Sequence, residues 1–365
     1  MGPKKYKFLP MNIVHLGIIG CGEVGNKLLL GASKDPSIEI VAVADLKEQA
    51  ACETAIRHKV DRFYTNPDSL LADQRVEGVV LALPTTGRTD LALRALARGK
   101  HVLVEKPVAM NAAEVREIMA AQRDLIVGCC SGRHRTPEHA QVTARFIESG
   151  ALGELRVLQA RVIFPAGSRP AEIPPAWRLM KSLNGGGELM NVGCYDLDYL
   201  LGLAGWKLKP RLVLAQTWTV PALFESHIAP GSDAESHVMA MIRCASGAVI
   251  QLERGDYTTT PQELTWRIIG TRGSLQLQMT PSDDLNILSH EGDTEKGVVP
   301  RVIWQGKEDW LEPHSGIISD FAAAIREGRP PITSIEQALV VQQICDAIYE
   351  SAKQGNAVNI ESPDL

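Results

Sequence analysis

The feature that most constrains this chain is a short apolar run, Asn12-Ile-Val-His-Leu-Gly-Ile-Ile, that breaks into Gly20-Cys-Gly22-Glu23-Val24-Gly25. An apolar run closed by glycines suits a strand buried on both faces of a parallel sheet. A helical stretch over 24–32 follows directly. Three glycines at this spacing are informative only between a strand and a helix, and that is where they stand. Gly20 permits the tight turn, Gly22 lets a pyrophosphate approach the backbone, and Gly25 lets helix and strand pack closely. The helix N-terminus, with Glu23 and Val24 in its first turn, then turns its N–H groups toward negative charge.

The alternation continues beyond the glycines. A second buried strand spans 38–44, then come a helix over 47–58, a strand over 78–83, a helix over 89–98 and a strand over 101–105. A helix over 111–123, opened by Asn111 and Glu114 at capping-box spacing, leads into a strand over 125–130. Strand–helix alternation with short loops predicts an α/β Rossmann domain, a doubly wound parallel sheet, over 11–134. Residues 1–10 read as a loose tail.

After Arg133 the rhythm changes. A helix over 138–149 stops at Gly150, and long alternating strands follow. The runs 237–244 and 248–254 flank Ala-Ser-Gly, and 264–269 and 274–278 flank Gly-Thr-Arg-Gly, so each pair reads as a hairpin. Helices over 315–327 and 334–354 close the chain. Residues 135–365 are therefore expected to form an α+β domain with a large open, mostly antiparallel sheet that holds substrate and mediates a homodimer or homotetramer.

Composition narrows the partners. The net charge of −5 supplies no basic footprint for nucleic acid or an anionic membrane. No apolar stretch is long enough to span a bilayer, and nothing at the start reads as a signal peptide. The seven cysteines form no C-x-x-C pair and the nine histidines no cluster, so no metal is expected and the thiols suit a cytoplasmic protein.

Three further groups carry chemistry. Asp45 ends the second strand twenty residues past Gly25, where a carboxylate accepts hydrogen bonds from an adenosine ribose and repels a 2′-phosphate. NAD is therefore favoured over NADP, with Lys47 close enough to soften the preference. Glu105-Lys106-Pro107 places a lysine at the C-terminal end of a buried strand, the edge where such sheets hold ligands. Trp177-Arg178 precedes Gly185-Gly-Gly187, and in the helix beyond, Asn191, Tyr195 and Asp198 fall on one stripe. A glycine-rich entry to that helix lets another molecule come close. Arg133 and Arg135 add guanidinium groups suited to hydroxyls and carboxylates.

With these residues in place the chain resembles the glucose–fructose oxidoreductase / inositol dehydrogenase / rhizopine catabolism (Gfo/Idh/MocA) oxidoreductases over nearly its whole length. The likeness rests on Gly20-x-Gly22-x-x-Gly25, Gly-Lys-His-Val-x-x-Glu105-Lys106-Pro107, Trp177-Arg178 before the triple glycine, and the closing helix from Ser334. It implies a nicotinamide-dependent oxidoreductase acting on the CH–OH group of a sugar, glycoside, cyclitol or related polyol. Lys106 would touch both nicotinamide ribose and substrate hydroxyl, and Leu83, Pro84 and Thr85 would cover the cofactor. Trp177 and Arg178 belong to the matched motif, and together with Arg133, Arg135, Asn191 and Asp198, read from their chemistry and placement, they are the expected substrate-facing residues.

The family pattern after the glycines is Asp-x-Gly-x-His; here Asn191 and Tyr195 replace its aspartate and histidine. Thr85 and Arg88 likewise replace its usual asparagine and histidine. Tyr195 is then the expected acid/base. A free tyrosine titrates near ~10, and a neighbouring ammonium would be expected to lower that value. Two other activities fit the same motifs: glycoside cleavage or epimerisation with recycled, tightly bound NAD, and a non-catalytic dinucleotide-binding regulator. A sugar-phosphate dehydrogenase fits less well for want of clustered lysine and arginine.

Overall fold

The structure, a computed structural model, describes residues 13–360; the expected tail, 1–10, lies outside them. The first domain runs β1 (Val14–Ile19), α1 (Glu23–Ala32), β2 (Ile38–Ala44), α2 (Glu48–His58), β3 (Phe63–Tyr64), α3 (Pro67–Ala72) and β4 (Gly78–Leu81). It continues through α4 (Arg88–Ala97), β5 (His101–Val104), α5 (Ala112–Ala121) and β6 (Val127–Cys129). The sheet order is β3-β2-β1-β4-β5-β6, all parallel. The order reverses between β1 and β4, so a crevice opens at the carboxyl ends of those strands. Register pairs Ile19 with Leu81 and Leu81 with Val104, which aligns the loops at Gly20, Ala82 and Glu105 along one edge.

The second domain contains α6 (Glu138–Glu148), β7 (Leu155–Pro165), α7 (Lys181–Asn184), α8 (Cys194–Leu203), β8 (Pro210–Thr219), β9 (Glu235–Cys244) and β10 (Val249–Thr258). Then come β11 (Glu263–Gly270), β12 (Gly273–Leu277), β13 (Leu285–Asp293), β14 (Gly297–Gly306), α9 (Glu312–Glu327), α10 (Ile335–Gln354) and β15 (Val358–Asn359). Its sheet is antiparallel apart from the central β7–β10 pair. Both expected hairpins form, β9–β10 and β11–β12. Inward residues such as Val238, Ala240, Ile242, Ile250, Leu252 and Trp266 pack with Leu197, Leu200 and Leu201 of α8 and Ile344 and Ile348 of α10.

The two domains are not consecutive in the chain. Ile317, Ile318 and Phe321 of α9 pack with Leu16, Ile18 and Leu28, and Ile335 and Leu339 of α10 join the core around Val79 and Val102. The 134/135 boundary marks where chain character changes, but α9 returns to cover the first sheet. Ser334 caps α10 through a reciprocal box with Gln337. All seven cysteines are free, and among the described residues no helix is long and apolar enough to cross a membrane.

Candidate active site

The glycine loop is shaped by sterics. Gly20 has φ +106°, and a Cβ there would lie 2.2 Å from the Ala82 carbonyl oxygen. A Cβ on Gly25 would lie 1.9 Å from the Gly20 oxygen. Above Gly22 there is open space, and no side chain caps α1, whose first-turn N–H groups face that opening. Asp45 braces the loop: its carboxylate accepts from the Cys21 N–H at 2.9 Å and the Lys47 N–H at 2.9 Å. Glu23 is exposed and pairs with Lys27, and Val24 is partly buried behind it. A bare glycine face over a free helix end with a carboxylate beside it fits a dinucleotide.

Two strands away, Glu105 and Lys106 follow β5. Glu105 is buried and pairs with Arg133. Burial alone would raise its pKa, but Arg133, Lys106 and Arg88 outweigh it and hold the carboxyl below its usual range. Lys106 donates through Nζ to the Asn191 carbonyl oxygen and lies 3.4 Å from Asn191 Oδ1. Burial pulls its ammonium below the ordinary lysine value. Its Nζ stands 5.0 Å from the centre of the Tyr195 ring.

Arg88, noted in the sequence only as a departure, holds this edge together. It is fully buried and donates to the carbonyls of Glu105, Pro107 and Pro84 and to Thr85 Oγ1. It ties the loop after β4 to Lys106. Leu83 is partly buried and Pro84 exposed, as a covering loop requires. Thr85 is 1% exposed and its hydroxyl is taken by Asn184 at 2.7 Å and by Arg88, so only its backbone remains for a cofactor.

The expected stripe of Asn191, Tyr195 and Asp198 is split, because Leu189–Gly193 winds as a π-helical turn before α8. Asn191 faces a narrow cleft; Tyr195 packs edge-on against His134, with ring centres 4.9 Å apart. Asp198 turns the other way and is fully buried, accepting from Ser131, Thr333 and Arg135. Arg135 is spent on that carboxylate, on the Ile332 carbonyl and on Thr333. Asp198 and Arg135 therefore pin α8 to the domain junction, and neither reaches a substrate as expected. Arg133 is also enclosed, between Glu105, His314 and the Tyr195 ring.

The tyrosine's titration also departs from expectation. Burial raises the Tyr195 phenol well above its ordinary value, against the pull of Arg133. The ammonium does not make it a phenolate. His134 beside it is held neutral, chiefly by burial and then by Arg133.

The triple glycine answers to packing inside the protein. A Cβ on Gly186 would lie 1.9 Å from Tyr349 Oη, and one on Gly187 1.9 Å from the Glu235 carbonyl oxygen. Trp177 is half-buried and Arg178 exposed, the guanidinium stacked on the indole at 5.6 Å. Arg178 and Asn191 line the cleft with Glu188, Ser236, Asp256 and Tyr257. Sequence reasoning missed these last four, which meet only when β9, β10 and the π-helical turn come together.

Residues 14–131 match the family described as "Oxidoreductase family, NAD-binding Rossmann fold", and residues 140–276 match the GFO/IDH/MocA C-terminal domain. The chain belongs to the Gfo/Idh/MocA oxidoreductases. It is a nicotinamide-dependent enzyme whose cofactor is NAD. It is 25% identical to levoglucosan dehydrogenase of Pseudarthrobacter phenanthrenivorans over 96% of this chain and 99% of that one. It is 23% identical to inositol 2-dehydrogenase of Rhizobium meliloti over 95% of this chain and 99% of that one. The fold superposes on that of levoglucosan dehydrogenase in complex with NADH and L-sorbose with a TM-score of 0.86, at 24% identity, covering 97% of this chain and all of the other.

Proposed function

We propose that this oxidoreductase acts on a CH–OH group of a sugar, glycoside or cyclitol, with NAD preferred over NADP through Asp45. The observation that carries the reading is the meeting of Lys106, Tyr195 and Asn191 beside the carboxyl edge of the first sheet, where the glycine loop also opens. When bound, NAD supplies the hydride acceptor, and the protein orients and polarises. Lys106 takes the hydroxyl proton, because burial lowers its pKa while that of Tyr195 rises. Tyr195 keeps its proton and orients the substrate oxygen as a donor. Asn191 holds the lysine through its backbone carbonyl and, at 3.4 Å, through its side-chain oxygen, beside the cleft that it lines.

Relatives named for levoglucosan, inositol and 1,5-anhydro-D-fructose support a carbohydrate-like substrate. The test is a panel of polyols and glycosides offered with NAD or NADP and followed by nicotinamide absorbance. NAD reduction by a subset of the panel is expected. If NAD is bound and no member is oxidised, the reading falls.

We also propose that the chain pairs through the outer face of the large sheet, as a homodimer or homotetramer. Leu214, Met239, Met241 and Leu264 are 41–53% exposed there, more apolar surface than a solvated sheet face carries. A monomer by light scattering at micromolar concentration would remove this assembly.

A further inference from the structure

We infer that Glu235 and Tyr349 are positioning residues for Lys106: they clamp the start of the π-helical turn so that the Asn191 backbone carbonyl meets the lysine ammonium group. The inference rests on Lys106 as the proton-handling group of the proposed oxidoreductase, and it adds two residues that act on that group through the backbone.

A helix start leaves its first N–H groups without partners inside the helix. The turn at Leu189–Gly193 is such a start, and Glu188 before it gives no side-chain cap. The acceptor comes instead from another strand. Glu235, the first residue of β9 and 3% exposed, accepts the Gly187 N–H at 2.9 Å through Oε2 and the Leu189 N–H at 3.0 Å through Oε1. The same Oε1 accepts the Tyr349 hydroxyl at 2.8 Å. Tyr349 belongs to α10, whose Ile344 and Ile348 lie in the core of the second domain.

Two of the three glycines follow from this clamp. A side chain at Gly186 would fill the place of the Tyr349 hydroxyl, and one at Gly187 would run into the backbone of Glu235. The entry to the turn is thus wedged between β9 and α10. The Asn191 N–H bonds back to the Gly187 carbonyl at 2.8 Å, so the residue that is clamped and the residue that is aimed are joined directly. Asn191 then presents its own carbonyl to Lys106 Nζ.

A carbonyl on the ammonium favours the charged form of Lys106, against the burial that disfavours it. The other titratable and charged groups facing the lysine are Cys194, Glu105, Arg133 and Arg88, with the Tyr195 ring beside it. Those facing Glu235 are Glu188, Tyr349 and Cys345. Burial raises the Glu235 carboxyl, while the Leu189 N–H, the Tyr349 hydroxyl and the Gly187 N–H pull it back. When the clamp opens, the carbonyl drifts from Nζ, the ammonium loses an acceptor, and Lys106 gives up its proton at lower pH.

The test reads Lys106 without a substrate. The full chain is labelled with trace acetic anhydride across pH, and acetylation at Lys106 is followed by peptide mass spectrometry. In Glu235→Asp, which keeps the charge and shortens the reach, the midpoint should fall by about one pH unit, part of the worth of one charge-assisted hydrogen bond. Tyr349→Phe, which removes no charge, should move it less far in the same direction. NADH binding and a cooperative melt check the fold, and should Glu235→Asp fail them, Tyr349→Phe decides. A midpoint that stays or rises overturns the clamp, even where it falls in Glu235→Gln, because there the charge is gone. Oxidation of the sugar panel with NAD is read separately, and kcat in Glu235→Asp should fall about tenfold with KM little changed. Sugar oxidation with an unmoved Lys106 midpoint would sink the clamp and leave the reaction. A lowered midpoint with no sugar oxidised by the parent protein would sink the reaction and leave the clamp.

Discussion

Two buried glutamates, Glu105 and Glu188, behave in opposite ways. Glu105 sits among Arg133, Lys106 and Arg88 and is held ionised. Glu188 shares one guanidinium with Asp196 and is pushed up to about 7. Burial penalises charge in both; the number of cations within reach decides the outcome. The first cluster is complete in itself and works as scaffold for the cofactor edge. The second shares the Arg254 guanidinium between two carboxylates and lines the narrow cleft beside Asn191.

The largest break in this contrast comes at Lys106, which acts on Glu105 and donates to Asn191 at the cleft. Lys106→Met should lower kcat/KM for oxidation by about 10³-fold or more, the upper range for a proton-transfer group. The wild-type oxidative rate should rise with pH as Lys106 passes through its lowered value, and the variant should lose that limb. Tyr195→Phe should cost only about tenfold, the worth of one hydrogen bond, and keep the limb. If the tyrosine variant loses the limb and the lysine variant keeps it, the proton roles are reversed. Steady-state rates across pH decide.

Next come the glutamates themselves, given the same substitution. Glu105→Gln leaves Arg133 without its charged partner and should destabilise the fold by about 3–5 kcal/mol. Glu188→Gln should leave stability unchanged or raise it, with a pH signature. Because its folded pKa lies above the ordinary 4.5, Glu188 is neutral and harmless in acid, and its charge costs stability as pH rises toward and past about 7. The variant's advantage in melting temperature should therefore be absent below pH ~4.5 and open above neutrality. Arg254, Asp256 and Glu235, the charged groups facing it, are unchanged by the substitution. A loss of stability at Glu188→Gln comparable to that at Glu105→Gln would make both clusters scaffold.

The same two regions differ in how much of them the sequence reveals. The cofactor edge was legible because its parts are short-range: glycines whose spacing reflects one turn, a carboxylate at a fixed offset, and a lysine at a strand end. The cleft was not. Glu188, Ser236 and Asp256 come from three segments, and no local pattern marks them. The helical stripe failed for a related reason. A π-helical turn at Leu189–Gly193 rotates Asp198 away from Asn191, and periodicity read at 3.6 residues per turn does not register it. Arg135 and Arg133 carry the composition of ligand-binding residues, yet their partners, Asp198 and Glu105, are themselves buried and charged. The return of α9 to the first domain likewise depends on contacts some 300 residues apart, which alternation along the chain does not encode.

The smallest effect is expected at Asp45, and it sharpens the contrast from the cofactor side. Unlike Glu188, this carboxylate already holds two backbone N–H groups, those of Cys21 and Lys47, at 2.9 Å. It is partly exposed, so lone pairs remain for a ribose. Asp45→Ala removes those acceptors and the repulsion of a 2′-phosphate together. A charge-assisted hydrogen bond is worth about 1.5–3 kcal/mol, so the NAD-over-NADP preference should narrow by about tenfold or more. Substrate binding should be little changed, since Asp45 braces the glycine loop and does not line the cleft beside Asn191. Losing the two N–H anchors also loosens the glycine loop, which should weaken NAD and NADP alike. The decisive quantity is therefore the ratio of the two dissociation constants, measured by titration of each cofactor. An unchanged ratio with both affinities reduced would make Asp45 a brace for the loop and leave cofactor choice to Lys47 and the open face at Gly22.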